Sequence, residues 1–572
     1  MQRVNKEFKV RLYLVSNLLM FSLNLYSQAY TLKIQTIPEY SHVLSKSKAE
    51  TYPDSISVIK KLNEVLSDIR EDGYLLAEIK QVTWDHNNAT ARIHINSRFR
   101  GIDLQKGNVP EWILNKAGYN ELSNSLSFNN SKLNELFKNI LKVYEDSGFP
   151  FASVELDSVN ISNNTIKAVL KASKGEMFVY DSLKLAGNVR ISPKFLESYL
   201  DLKSGFVYQE SSVRNIEERL AELPFFKSVK SPQIKFSANK ATITLFLEKQ
   251  NSNTFDGILG FLPNDETGKL QVIGDLKLNL NNPFKRAENI DFNYKGLPQK
   301  SKELNMGLTM RELFSTPVGL DFRFNIFKRD TNYQNINTKI SLHYRIPKGR
   351  LSFFMHNRSG LPANSDTLSN DIPVFANTKS LSYGIGFLYR TLNSTFQPRR
   401  GLTIEVSSEA GKRKVSGLKS LNNSRISQYR VNGDFDFYLP FSSRGILRIN
   451  NQTAVLIGKK LFENELYRIG GFSSLRGFDE QSILASSYSL INTEYRLLIE
   501  NSSYLFAFFN QAFTHVNSIN LKRSDWPLGF GAGINLQVKT GMFSLSYALG
   551  KQRDNPLNLQ SGKIHFGLIT LF

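Results

Sequence analysis

The chain has 572 residues and no cysteine, which excludes a disulfide scaffold, a thiolate metal site and a cysteine nucleophile. Its length exceeds what one domain usually holds. The net charge of +21 comes without a long Lys/Arg run or a nucleic-acid motif, so no nucleic-acid partner is expected.

The N-terminus carries Arg3, Lys6, Lys9 and Arg11, then an apolar stretch from Leu12 to Leu25, then Tyr26-Ser27-Gln28-Ala29. A basic start, a short apolar run and a small-residue exit predict a secretory signal peptide over 1–29. The run is short of the roughly 20 residues a membrane helix needs, and no later segment approaches one. A membrane protein without such helices must close a β-barrel.

Residues 30–252 alternate helical and strand patterns with a period near 75 residues. Gly73-Tyr74-Leu75-Leu76-Ala77 recurs as Gly148-Phe149-Pro150-Phe151-Ala152, and more loosely as Pro224-Phe225-Phe226-Lys227-Ser228. Each anchor follows an amphipathic helix with apolar steps of three and four. The stripes are Ile59, Leu62, Leu66, Ile69; then Leu133, Phe137, Ile140, Tyr144; then Val213, Ile216, Leu220, Leu223. Alternating strands close each copy: 91–95, 165–169 and 242–247. Three small α/β modules in a row are expected, at 30–98, 99–173 and 174–252. Such small sheets expose edges that accept an extra strand from a partner.

From about residue 253 the helical period gives way to roughly 16 strand-like segments separated by turn residues, the pattern of an antiparallel transmembrane barrel over 253–572. A mean hydropathy of −0.29 fits, because barrel strands alternate lipid-facing and lumen-facing residues. Phe543, Leu545, Tyr547 and Leu549 face one way, and Ser544, Ser546 and Ala548 the other. Phe530, Ile534, Leu536 and Val538 are expected toward lipid, with Gly529, Gly531, Gly533, Asn535 and Gln537 inward. Short turns such as Thr540-Gly541 belong on the periplasmic side, which puts the loops near 358–380 and 458–484 outside. The last segment ends on an alternating run to Phe572, and no passenger domain is expected after it.

The loop at 458–484 contains Arg468-Ile469-Gly470-Gly471-Phe472-Ser473-Ser474-Leu475-Arg476-Gly477-Phe478. An Arg directed into a lumen needs an acidic partner or water. Glu494 shares the inward register with Asn492 and Arg496, so Arg476 is expected to fold inward onto Glu494. Gly477 lets the loop approach the wall, and Phe478 packs against it. Leu475 with Arg476-Gly477-Phe478 resembles the hallmark loop of the BamA/TamA superfamily, which joins POTRA domains to a 16-stranded barrel. Pro398-Arg399-Arg400-Gly401, Asn492-Thr493-Glu494-Tyr495-Arg496 and the Gly531-Ala532-Gly533 strand are similar to that family too. Where the family commonly has an acidic residue after aromatics, this chain reads Phe508-Phe509-Asn510, so Asn510 supplies an amide and no charge, which leaves Glu494, or Asp479 nearby, as the anionic partner.

The resemblance implies assembly or translocation of exported proteins at the outer membrane. Modules anchored by Gly73, Tyr74, Gly148, Phe149, Phe225 and Phe226 would collect clients in the periplasm. A weak seam between the first and last strands, marked by Phe255, Gly257, Gly567 and Phe572, would receive them. Implied partners are unfolded outer-membrane or exported proteins, outer-membrane lipid or lipopolysaccharide beside a basic rim, and periplasmic or inner-membrane accessory proteins. In size and repeat number the chain is nearer TamA than BamA. The alternatives are a secretion pore dedicated to one partner and a passive or adhesive barrel. No cofactor, metal or enzymatic activity is expected: the seven His are scattered, and neither a nucleophile elbow nor a phosphate loop is present.

Overall fold

The computed structural model describes residues 30–571 except 37–49, 100, 120–125, 128–129, 264–269, 298–300, 364–372, 395–396, 417–424, 473, 501, 539–540 and 554–561. The signal-like segment 1–29 and Phe572 lie outside the described residues. The chain forms two compact units, one built from the first two modules and the other from the third module with the barrel.

The first module contains β1 (Tyr30–Gln35), β2 (Glu50–Tyr52), α1 (Ser55–Glu71), β3 (Glu78–Asp85) and β4 (Asn88–His94). Its sheet order is β2-β1-β4-β3, with β1 parallel to β4. The Asp54 carboxylate caps α1 by accepting from the Ser57 amide at 2.7 Å. At the other end Gly73 has φ +101°. The Gly73 amide donates to Arg70 O, and the Tyr74 amide reaches back to Ile69 O. This αL stop explains the anchor: Gly takes the left-handed position, and the aromatic after it packs back on the helix. The buried stripe is Val58, Leu62, Leu66 and Ile69. Ile59, expected on that stripe, is exposed. A four-residue step back from Leu62 lands on Val58, and about 100° of helical rotation turns Ile59 to solvent.

The second module contains β5 (Gly101–Gln105), α2 (Glu111–Lys116), β6 (Leu126–Ser127), α3 (Asn130–Glu145), β7 (Ser153–Ser162) and β8 (Thr165–Ser173), in sheet order β6-β5-β8-β7. Leu136, absent from the expected stripe, is buried with Ile140 and Tyr144, while Leu133 and Phe137 flank that core. Gly148, at φ +95°, ends α3 as Gly73 ends α1, with the Phe149 amide bonded to Tyr144 O. Helix α2 was not visible in the pattern: six residues are too short to display a period.

The third module contains β9 (Val179–Gly187), α4 (Pro193–Tyr199), α5 (Glu210–Arg214), α6 (Ile216–Ala221), β10 (Phe226–Ser237) and β11 (Lys240–Lys249). The expected single helix is two short ones. Ile216, Leu220 and Leu223 still bury, whereas Val213 does so only partly. The anchors share a further feature. Gly73 O accepts from the Phe99 amide, Gly148 O from Phe178, and Phe225 O from Gln250. Each anchor carbonyl is thus bonded by the segment that leaves its module.

The barrel strands are β12 (Thr254–Pro263), β13 (Leu270–Asn281), β14 (Asn289–Gly296), β15 (Lys302–Met310), β16 (Val318–Arg329), β17 (Tyr333–Ile346), β18 (Gly349–Pro362), β19 (Asn377–Arg390), β20 (Gly401–Ser416), β21 (Arg425–Pro440) and β22 (Gly445–Gly458). A small hairpin follows, β23 (Tyr467–Ile469) with β24 (Ile483–Ala485). The wall resumes with β25 (Ser487–Leu498), β26 (Tyr504–Asn517), the short β27 (Lys522–Asp525), β28 (Leu528–Val538), β29 (Gly541–Lys551) and β30 (Lys563–Leu571). Setting β27 aside, since β26 pairs directly with β28, sixteen strands close the antiparallel barrel. Strands β18 and β19 extend into the expected 358–380 loop, and β20 runs on to Ser416. Their tips carry Arg358, Arg413 and Lys414; the backbone ladder continues there without needing an apolar outer face. Strand β19 shows the wall's logic, with Ser380 and Ser382 buried and Leu381, Tyr383, Ile385 and Phe387 exposed outward. Among the described residues no helix is long and apolar enough to cross a membrane.

Candidate functional site: the inward loop and the seam

The β23–β24 hairpin carries the loop into the lumen. Ile469, Leu475 and Ile483 bury with Leu490 and Ala512 of the wall, and Phe478 and Tyr488 pack against them. Gly470, Gly471 and Gly477 all take positive φ. Ser474 Oγ, accepting from the Gly470 amide at 2.9 Å and donating to Gly470 O at 3.0 Å, closes the turn.

Arg476 Nη1 donates to Glu494 Oε2 at 2.9 Å, and Arg496 Nε donates to Glu494 Oε1 at 2.7 Å. Arg476 Nη2 lies 3.4 Å from Asn510 Oδ1, and Asn510 Nδ2 returns a bond to Ser474 O at 3.2 Å. One buried carboxylate therefore serves two guanidiniums, and Asn510 completes the fork. Buried ions need such partners, because a charge without one is costly in a low-dielectric interior.

Several residues of this arrangement were not singled out from the sequence. The Arg476 guanidinium sits 3.7 Å above the centre of the Phe508 ring. Gly529 and Gly550 form the wall beneath the loop. A Cβ on Gly529 would lie 1.9 Å from Arg476 O, and one on Gly550 2.5 Å from Gly477 O. The Gly-rich pattern of the late strands was a usable signal, read only as small inward residues. Gly531 and Gly533 make room for the inward rings of Phe508 and Phe506.

The seam is the other half of the site. Among the described residues β12 and β30 pair only through Thr254–Leu571, Phe255–Thr570 and Asp256–Ile569. By contrast β12 pairs with β13 continuously from Thr254 to Pro263. Phe255 points outward, exposed. A Cβ on Gly257 would touch the Phe255 ring at 3.4 Å, while one on Gly567 would meet open space. The loop reaches the seam strand: Asp479 pairs with Lys563 at 2.8 Å, and Phe472 lies 5.6 Å from His565 between ring centres. The expected site residues thus fall into three groups. Leu475, Arg476, Gly477, Phe478, Glu494 and Asn510 converge in the lumen, and Phe255, Gly257 and Gly567 lie on the seam strands. The anchors sit in the separate modules.

A sequence profile described as the Omp85 superfamily domain matches residues 282–572, half of the chain. The chain belongs to the Omp85 superfamily. It is an outer-membrane β-barrel protein of the protein-transport class. A second profile, POTRA, described as a surface antigen variable number repeat, matches residues 178–250, the third module. Among solved structures, CdiB from Acinetobacter baumannii is similar at 13% identity and TM-score 0.54, covering 93% of this chain and 98% of its own. CdiB from Escherichia coli is similar at 15% identity and TM-score 0.53, covering 92% and 100%. These likenesses concern the fold. No curated protein matches.

In this Omp85 chain the POTRA module is tied to the barrel turns. Lys203 Nζ donates to Ser315 O at 2.8 Å, the Ser192 amide to Lys285 O at 2.8 Å, and Lys348 pairs with Glu218 at 3.3 Å. Arg345 donates to Tyr199 O and to Ser198 O, pairs with Asp201 at 3.3 Å, and lies 4.9 Å over the Tyr199 ring. Glu312, in the β15–β16 turn, is buried 3.3 Å from Arg345. Burial raises the Glu312 carboxyl to about 7, against the pull of Arg345. Burial and the neighbouring Glu222 carboxylate push the Tyr199 phenol well above its usual value. Its hydroxyl donates to Glu222 at 2.7 Å. Among the described residues no group of three or more His, Asp or Glu is placed to hold a metal.

Proposed function

We propose that this protein inserts other polypeptides into the outer membrane, and that parting of the β12–β30 seam is the step that admits them. The three-pair junction supports this reading above any other observation. At about 1 kcal/mol net per interstrand hydrogen bond, it is the least costly place to open the wall. Once parted, β12 and β30 present unpaired edges in a setting where an unpaired backbone is expensive, so an incoming strand gains strongly by pairing there. The POTRA module at 178–250, and the two modules before it acting in the same way, collect extended clients by strand addition. The 1–29 segment directs export, the arm lies in the periplasm, and the basic loops meet anionic lipid.

The absence of native cysteine makes the test clean. Phe255→Cys with Thr570→Cys places one thiol on each seam strand at paired positions. With the crosslink oxidised, other outer-membrane proteins should fall in abundance, and reduction should restore them. A verified crosslink that leaves every outer-membrane protein unaffected overturns the insertion reading and moves a secretion pore dedicated to one partner ahead.

A further inference from the structure

Beside the base of the inward loop the lumen encloses a cavity of about 640 Å³. Its lining includes five cationic side chains, Arg323, Lys339, Arg358, Arg430 and Arg468, against three carboxylates, Asp291, Glu303 and Glu465. The carboxylates are provided for. Asp291 pairs with Arg323, and Glu465 with Arg413. Glu303 accepts from Asn305 at 3.2 Å, Asn325 at 3.1 Å and Gln481 at 2.6 Å.

The cations are not matched in the same way. Glu409, just behind the lining, is shared by Arg358, by His356 at 3.3 Å and by Arg430 at 3.9 Å. Arg358 Nη1 and Arg430 Nε are buried and make no hydrogen bond among the described residues. Lys339 Nζ sits 3.7 Å over the Phe354 ring. Arg468 sits 4.6 Å and 5.1 Å over the rings of Phe327 and Tyr333. No ion pair joins Lys339 or Arg468 to a carboxylate among the described residues, and Glu409 and Glu303 respectively act on them only at longer range. A ring face attracts a cation but does not neutralise it.

We propose that this cavity is a binding site for a small polyvalent anion. Surplus positive charge held by low-dielectric walls creates a field that a counter-ion relieves. The volume lies within the range of small-molecule sites, about 300–1,000 Å³. More than one acidic group is required, because the surplus is spread over the wall, at Lys339 and Arg358, and over Arg468 at the foot of the loop. A bound anion therefore bridges loop and wall. Phosphate and carboxylate groups share the chemistry that Arg and Lys recognise.

The test is calorimetry on the full chain in detergent at fixed ionic strength, with pyrophosphate in one arm, citrate in another and sodium chloride as control. Saturable binding of either polyanion is expected: pyrophosphate alone identifies a phosphate ligand, citrate alone a carboxylate, and both a general polyanion. Lys339→Gln orphans no carboxylate and should weaken binding about tenfold, the loss of one charge-assisted contact. Arg468→Gln should weaken it similarly. Heat-modifiable gel mobility verifies that each variant is folded. No saturable binding to the unaltered protein overturns the proposal. Binding unchanged in both folded variants also overturns it, since the ligand then sits elsewhere.

Discussion

The arm and the barrel are built from the same residue types arranged inside out. In the second module Leu136, Ile140 and Leu170 are buried at the centre. In the barrel the comparable aliphatics, such as Leu381 and Ile385, are exposed on the outside, while Glu494, Asn510 and Arg413 are buried within. The arm is held by removing apolar surface from water. The barrel is held by its backbone ladder and by ion pairs whose partners must be complete. A single missing partner should therefore matter more in the barrel than a conservative change in the arm.

The largest expected effect tests that asymmetry. Glu494→Gln leaves Arg476 and Arg496 without their carboxylate and should destabilise the folded loop by about 3–5 kcal/mol. Protease cleavage within 467–485 should rise. Unchanged cleavage would show that water replaces the carboxylate. Ile140→Ala cuts a cavity into the second module and should cost about 2–5 kcal/mol. Thermal unfolding should show the loss in the arm alone, with the heat-modifiable mobility of the barrel intact. A matching loss in the barrel would dissolve the separation.

The junction at Glu312 lies between these extremes and is sensitive to pH. Its folded value of about 7 lies above the ordinary 4.5, so between those values the docked state holds more protons than the undocked one. Docking should weaken as pH rises through that window, by up to about 3 kcal/mol. Proteolysis of the 190–222 segment at pH 5.5 and pH 8 measures it, and Glu312→Gln should flatten the response. The smallest effect is expected for Asp479→Asn. The Asp479–Lys563 pair is solvated, so its loss should change barrel stability by less than about 1 kcal/mol.

Legibility followed the same division. The barrel strands could be read because a lipid-facing side chain must alternate with a lumen-facing one, and the strand tips were missed where that demand ends, as at Arg358 and Arg413. In the arm, α1 and α3 declared themselves through their stripes, but a stripe leaves the choice between neighbours such as Val58 and Ile59 to packing. Arg476 and Glu494 were readable as a pair because each needed the other and the register placed Glu494 inward. The contacts of Phe508, Gly529 and Gly550 with the loop were not. They depend on how closely two distant backbones approach, which no local pattern records. Lys339, Arg358 and Arg430 come together only through the curvature of the wall, and Arg468 joins them only because its hairpin folds inward.

The contacts of the loop with β30 give the seam a second handle. Asp479 and Phe472 lie on the loop, whereas Lys563 and His565 lie on β30, the strand that pairs with β12. If the loop grips that strand more tightly in the shut state, thermodynamic linkage makes the influence mutual: whatever steadies the loop raises the free energy of parting, and whatever pulls on β30 loosens the loop by the same amount. In a planar bilayer such reciprocity would surface as shared current fluctuations, with loop motion and wall rupture changing together under any substitution along the path.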